Sequence, residues 1–235
     1  ISQNIDNWSV SKIKRMGADA VKVLAWYRPD ADKKVLEAQQ QYVQKIGDEC
    51  AKHDILFLFE LLVYPLSKDL YQTKEYVEMQ NKKTDHVLES VREFSDKKYG
   101  VDVFKLESPV NVNKIADSDL NAFKEMGNIA GRPWVMLSAG AGKEEFKNVL
   151  KLAFKAGCSG FLAGRAIWLD AFMHYPNWDK IQNQLESNAK DYLDEIGEMA
   201  DKSALSWNNH VCYGKDGSDF PYDNQEFRLH YNEIE

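Results

Sequence analysis

Apolar residues recur along the chain in five short runs, each followed by turn residues and then by a stretch with helical spacing. The runs are "ADAVKVLAWY" from Ala18, "ILFLFELLVYP" from Ile55, "VDVFKLESPV" from Val101, "PWVMLSAG" from Pro133 and "SGFLAGRAIW" from Ser159. Apolar runs of this length, bounded by turn chemistry, predict buried strands. Between them the period changes. Val35, Tyr42, Val43 and Ile46 form one stripe on a helix over 33–52. Val87, Leu88, Val91 and Phe94 form a second, and Phe146, Val149, Leu150, Ala153 and Phe154 a third, as recurrence at three and four residues requires. Gly17, Gly100 and Gly157 each stand between a helical pattern and the next strand, where a left-handed residue ends a helix.

Strands that alternate with helices and read as near-continuous apolar runs imply a parallel sheet covered on both faces. An open doubly wound sheet and a (β/α)₈ TIM barrel both satisfy that description. The dinucleotide fingerprint GxGxxG is absent, and polar residues sit at several strand ends rather than in one phosphate loop, which favours the barrel. A barrel needs eight strands, and five are found. The chain is therefore expected to hold the last five βα units, with an N-terminal portion of about a hundred residues lying outside it, at roughly 30 residues per unit. Its first residue, Ile1 rather than Met, fits a processed or truncated piece. The pattern dissolves near Asn208. Residues 1–207 are read as the barrel portion and 208–235 as a C-terminal extension that docks or stays mobile, its polarity favouring mobility.

Composition narrows the function classes. With 235 residues, 44% hydrophobic and 29% charged, one globular domain with a sizeable core is expected. The longest apolar run is broken by Glu60 and is about half of what a membrane span needs. No signal peptide pattern is present. A net charge of −7 without a basic stripe argues against nucleic acid as a partner. Cys50, Cys158 and Cys212 are odd in number and form no CxxC pair, which suits a reducing, cytoplasmic setting. The five histidines form neither HxH nor HxxxH, so no metal site is expected.

The apolar runs carry polar side chains: Lys22, Glu60, Lys105 with Glu107, Ser138 and Arg165. A buried ion pair or a snorkelling side chain would explain any one of them. As a set they point toward the mouth of a parallel barrel, where strand C-termini converge and active sites are built. Two lysines and a glutamate suit one chemistry. An amine near a second cation, or kept out of water, becomes a nucleophile, attacks a ketone and forms an iminium that accepts electrons from the adjacent carbon-carbon bond. Glu60 would move the protons. The constellation reads as a class I aldolase working through Lys105, with Lys22 as neighbouring cation and no cofactor. Glu107, two residues along the same strand, shares the face of Lys105. In "LSAGAG", Gly140 and Gly142 let backbone N–H groups approach an anion at a helix start, and Arg165 in "AGRAIW" suits a phosphate.

Those segments carry a family resemblance. "GADAVKVL" at Gly17, "FELLVYP" at Phe59, "GVDVFKLESPVN" at Gly100, "LSAG" at Leu137 and "GRAIW" at Gly164 resemble the class I tagatose 1,6-bisphosphate aldolases and the related sulfofructose-phosphate aldolases, from about Trp8 to Trp207. The resemblance implies a (β/α)₈ barrel with Lys105 as the Schiff-base lysine, Glu60 as the acid/base and Lys22 as a second pocket lysine. It implies that Ser138, Ala139, Gly140, Gly164 and Arg165 hold the ketose phosphate. The expected reaction is cleavage of D-tagatose 1,6-bisphosphate to dihydroxyacetone phosphate and glyceraldehyde 3-phosphate. "YVQKIGDECAKHDILFLFELL" looks closer to the tagatose branch and "SGFLAGRAIW" to the sulfosugar branch, so 6-deoxy-6-sulfofructose 1-phosphate is the alternative substrate. A non-catalytic phosphosugar-binding barrel is the alternative role. The family's first three strands, with their active-site aspartate, have no counterpart here. The expected partner is a small phosphosugar, with no membrane and no nucleic acid, and a homo-oligomer is left open.

Overall fold

Short polar side chains mark where the first two helices begin. Ser9 accepts a hydrogen bond from the Lys12 N–H at the start of α1 (Val10–Arg15), and Asp32 accepts one from Lys34 at the start of α2 (Lys33–Lys52). Both are N-caps that satisfy otherwise unpaired amides. Gly17, Gly100 and Gly157 adopt φ of 84°, 60° and 89°, the left-handed geometry expected of them. Gly100 ends a short 3₁₀ turn, Lys97–Tyr99, rather than a helix.

The structure, a computed structural model, describes residues 1–66 and 84–215. Its strands are β1 (Ala20–Trp26), β2 (Leu56–Leu62), β3 (Val103–Leu106), β4 (Trp134–Leu137) and β5 (Gly160–Leu162). They form one sheet in the order β1-β2-β3-β4-β5, every neighbouring pair parallel. The connecting helices are α2, α3 (Thr84–Phe94), α4 (Leu120–Ala130) and α5 (Lys143–Lys155), followed after β5 by α6 (Arg165–Phe172), α7 (Trp178–Gln184) and α8 (Lys190–Ser203). This is the α/β architecture of five consecutive βα units of a (β/α)₈ barrel. Among the described residues no helix is long and apolar enough to cross a membrane.

The two faces of the sheet differ. Phe57, Phe59, Phe104, Trp134 and Met136 are fully buried, and they join Val43, Val91, Phe94, Phe123, Phe146 and Leu150 from α2 to α5 in one core. Gly47 shows how tightly the helices sit: a Cβ there would overlap the Tyr99 carbonyl oxygen. Coverage of both faces, expected from the apolar runs, is corrected by the structure. On the alternate face Leu24, Leu58, Val103 and Val135 are only half-buried and Leu56 is exposed. A smaller cluster of Leu62, Leu137 and Ala139, with Leu24 and Trp26 packed against it, closes the C-terminal end of that face. In a βα barrel this is the inner face, and among the described residues five strands leave it part open.

Two local expectations change. Arg165 lies outside β5 and opens α6, because nothing in "AGRAIW" marks where the strand stops. The extension after 207 begins docked rather than loose: His210 is 5% exposed, and its Nδ1 accepts a hydrogen bond from the Cys212 N–H. Residues 216–235 of that extension lie outside the described residues.

Candidate active site

Parallel register decides which inner-face side chains meet. Leu24, Glu60, Lys105, Val135 and Gly160 form one row across the sheet, Glu60 directly opposite Lys105. Lys22 stands two residues before Leu24, on the same face, within diagonal reach of Glu60. The Glu60 carboxylate is 1% exposed and pairs with both amines: Lys105 Nζ lies 3.1 Å from Oε2, and Lys22 Nζ contacts the same oxygen. Lys105 is 17% exposed and Lys22 45%. A carboxylate this deep is tolerated only when paired. The three residues read from the sequence as catalytic thus form one cluster, with a buried carboxylate between two amines.

Glu107, next on the same face of the chain after Lys105, is 2% exposed, and its Oε1 accepts the Val63 N–H at 2.6 Å. Its carboxylate ties the end of β2 to the end of β3, one layer nearer the mouth than Lys105.

The loops after β4 and β5 build the second part of the site. Ala141 N–H donates to the Ser138 carbonyl at 2.8 Å, closing a tight turn in which Ala139 and Gly140 have φ of 45° and 83°. Positive φ at a non-glycine residue is strained and tends to cluster at functional loops. The Arg165 guanidinium lies over this turn: a Cβ on Gly140 would sit 3.6 Å from its Nη2. Gly140 is exposed, whereas Ser138 and Ala139 are buried, so the turn offers its surface to a ligand chiefly at Gly140. Gly164 is the N-cap of α6, and the Trp168 indole nitrogen would lie 3.2 Å from a Cβ there. Gly142 caps α5, but the carboxylate of Glu145 already rests against it. The α5 N-terminus is therefore less open to an anion than "LSAGAG" alone suggests.

One neighbour, Arg28, escaped the sequence reading. Arg28 is 4% exposed, forms a two-point ion pair with Asp30 at 2.7 and 3.2 Å, and donates to the Tyr64 carbonyl at 3.2 Å, joining the C-terminal ends of β1 and β2. The only signal was an arginine just past a strand end, in "YRPD". Tyr27 is core, stacked edge-on to Phe94 at 4.8 Å. Trp26 belongs to the inner-face cluster, and Trp168 is exposed beside Gly164. Burial pushes the Cys158 and Cys50 thiols up to about 12, as for packing residues. Among the described residues no group of three or more His, Cys, Asp or Glu side chains is gathered as a metal ion would need.

A parallel barrel sheet with an amine-acid-amine cluster on its inner face and an arginine over a glycine turn defines the class as an aldolase-type lyase. Comparison with known proteins agrees. The family described as DeoC/LacD family aldolase matches residues 2–170, and the chain belongs to that family. It is 33% identical over 220 residues to tagatose 1,6-diphosphate aldolase 1 of Enterococcus faecalis and 31% identical over 222 residues to tagatose 1,6-diphosphate aldolase of Lactococcus lactis; each alignment covers 88% of this chain and 67% of the relative. The chain spans about two thirds of the length of these relatives. Among solved structures, a Schiff-base-forming fructose-1,6-bisphosphate aldolase aligns with a TM-score of 0.56 at 16% identity, covering 83% of this chain and 64% of that one. An archaeal fructose-1,6-bisphosphate aldolase, with its catalytic lysine bound to a carbinolamine intermediate, aligns with a TM-score of 0.55 at 17% identity, covering 83% and 62%. These two likenesses support the fold.

Proposed function

We propose that the chain carries the Schiff-base half of a class I aldolase that cleaves a phosphorylated ketose, with D-tagatose 1,6-bisphosphate as substrate. The observation that carries the reading is the buried Glu60 carboxylate held between Lys22 and Lys105. In the proposed reaction the Lys105 amine adds to the C2 carbonyl, the carbonyl oxygen takes one proton from the attacking nitrogen and a second from solvent, and it leaves as water to give the cationic iminium. Glu60 then removes the proton of the C4 hydroxyl. The C3–C4 electron pair moves into the iminium as the enamine forms and the aldehyde, glyceraldehyde 3-phosphate, departs. Protonation at C3 and addition of water release dihydroxyacetone phosphate and restore the amine. Gly140 and Arg165 hold the C1 phosphate through backbone amides and a guanidinium, with Ser138, Ala139 and Gly164 shaping the loops. Lys22 keeps a positive charge beside the proton carrier.

The substrate follows from the tagatose aldolase relatives. We further propose residues 1–207 as the barrel portion, 208–235 as its extension, and the cytoplasm as its place of work, where phosphosugars are found. The test is a cleavage assay with D-tagatose 1,6-bisphosphate and 6-deoxy-6-sulfofructose 1-phosphate side by side, in wild type and Lys105→Met. Triose phosphate release from the tagatose ester, abolished in Lys105→Met, is expected. Cleavage of the sulfosugar alone would replace the substrate, and phosphosugar binding without turnover would make this a non-catalytic barrel.

A further inference from the structure

The two halves of the anion site hang on two different helices. The glycine turn 138–141 leads into α5, whose first residue is Lys143, and Arg165 is the first residue of α6. The width of the site is therefore the spacing between two helix starts. With a Cβ on Gly140 only 3.6 Å from Arg165 Nη2, a small shift of either helix changes how both halves would meet a phosphate.

A third helix joins these starts. α8 packs on both α5 and α6. Its Tyr192, 5% exposed, donates its hydroxyl hydrogen to the Lys143 carbonyl oxygen at 2.9 Å. The Lys143 ammonium lies over the same ring, 5.5 Å from its centroid, within cation–π reach. From there it spans to α6, its Nζ 3.4 Å from Asp170 Oδ2. A lysine in the first turn of a helix opposes the helix dipole, so local preference does not account for Lys143. Its contacts to α8 and α6 do.

We propose that Tyr192, Lys143 and Asp170 form a strut that fixes the spacing between the glycine turn and Arg165, with Tyr192 and Lys143 as positioning residues for the phosphate. This role rests on the anion site of the proposed function, and it names the residues that hold that site in shape. The strut is separable from general stability. One turn further along α5, Lys147 Nζ lies 2.8 Å from Glu195 of α8, so loss of the Tyr192 hydroxyl leaves the two helices joined and frees only the first turn beside the ligand. Asp170 is 74% exposed, where an ion pair contributes little to folding.

The sign of one substitution tells a strut from simple charge. If Lys143 acted on the anion through space alone, Asp170 would oppose it, and Asp170→Asn would tighten binding. A strut gives the reverse, because without Asp170 the ammonium no longer spans to α6.

The experiment is calorimetric titration of the full chain with inorganic phosphate. Tyr192→Phe keeps the ring and removes one hydrogen bond, and should weaken phosphate binding about three- to tenfold. Asp170→Asn should weaken it about two- to fivefold. General loosening would not move the split between constants: in cleavage of D-tagatose 1,6-bisphosphate, KM should rise by a like factor in both variants with kcat held. Unchanged or tighter phosphate binding in either folded variant would overturn the proposal, as would a fall in kcat with KM kept. If Tyr192→Phe does not fold, Asp170→Asn, a surface change, decides by the direction of its shift. Arg165→Gln tests the underlying reading separately. Phosphate binding that is lost in Arg165→Gln but intact in Tyr192→Phe and Asp170→Asn would keep the anion site and sink the strut alone, whereas binding absent from wild type or untouched by Arg165→Gln would sink both.

Discussion

Replacing Glu60 by Gln should destabilise the protein, and by an amount that shrinks as pH rises. In wild type, both ammonium groups contact one carboxylate oxygen, so the two nitrogens are at most about 6 Å apart. Without the carboxylate, two unit charges at that separation repel by roughly 3 kcal/mol at an effective dielectric of 20. Lys22 is 45% exposed and can turn toward water, which reduces the penalty by about half in the relaxed variant. A loss of about 1–3 kcal/mol follows, or a fall in Tm of roughly 3–10 °C for a chain of this size. The sign of the pH dependence is set by folding, which in Glu60→Gln brings two ammoniums together with no acid between them. The folded variant then binds protons less tightly than the unfolded chain, so its stability rises with pH. The gap to wild type should narrow as the pH passes from 7 to 10. Thermal melts followed by circular dichroism at a series of pH values measure it. A Glu60→Gln protein as stable as wild type at pH 7, or a gap that does not close at high pH, would refute the ion cluster.

Three further outcomes follow from local geometry. Gly47→Ala would gain helix propensity in isolation, but the added Cβ meets the Tyr99 carbonyl, so urea unfolding should show a net loss of about 1–3 kcal/mol; a gain would mean that α2 does not press on that turn. Gly140→Ala places a side chain at φ 83° beside Arg165; it should cost about 1 kcal/mol in stability and weaken phosphosugar binding measured by calorimetry, and unchanged affinity would remove Gly140 from the site. Burial, with Arg132 nearby, holds the His210 imidazole below its usual range. The unfolded chain therefore takes up the proton first, and stability should fall as pH drops through about 6.5. His210→Asn should flatten that dependence in denaturant titrations at pH 7.5 and 5, and an unaltered slope would contradict it.

The strands and the chemistry were legible in the sequence for different reasons. Period and run length marked all five strands, and Lys105 and Glu60 stood out because charge inside an apolar strand is rare. Their pairing was not legible. Parallel strands joined by long helical crossovers have no hairpin turn to fix register, so only the fold sets Glu60 opposite Lys105 and brings Lys22 diagonally onto the same oxygen. The glycine turn after β4 was read from "SAG", but an acid three residues past the Gly142 cap, Glu145, was not weighed, although such residues often fold back over their helix start. Arg165 was placed on a strand because "AGRAIW" has no breaker between strand and helix. The docking of His210 was hidden by averaging, since a polar tail can still bury one side chain whose ring nitrogen is satisfied by a backbone N–H.

The central claim is that Lys105 forms an iminium with a phosphorylated ketone. Borohydride trapping of the protein with dihydroxyacetone phosphate, followed by peptide mass mapping, tests it most directly. The account predicts a single reduced adduct on Lys105, absent in Lys105→Met. No adduct on Lys105 in folded protein that binds the phosphate, or an adduct on Lys22 instead, would contradict it.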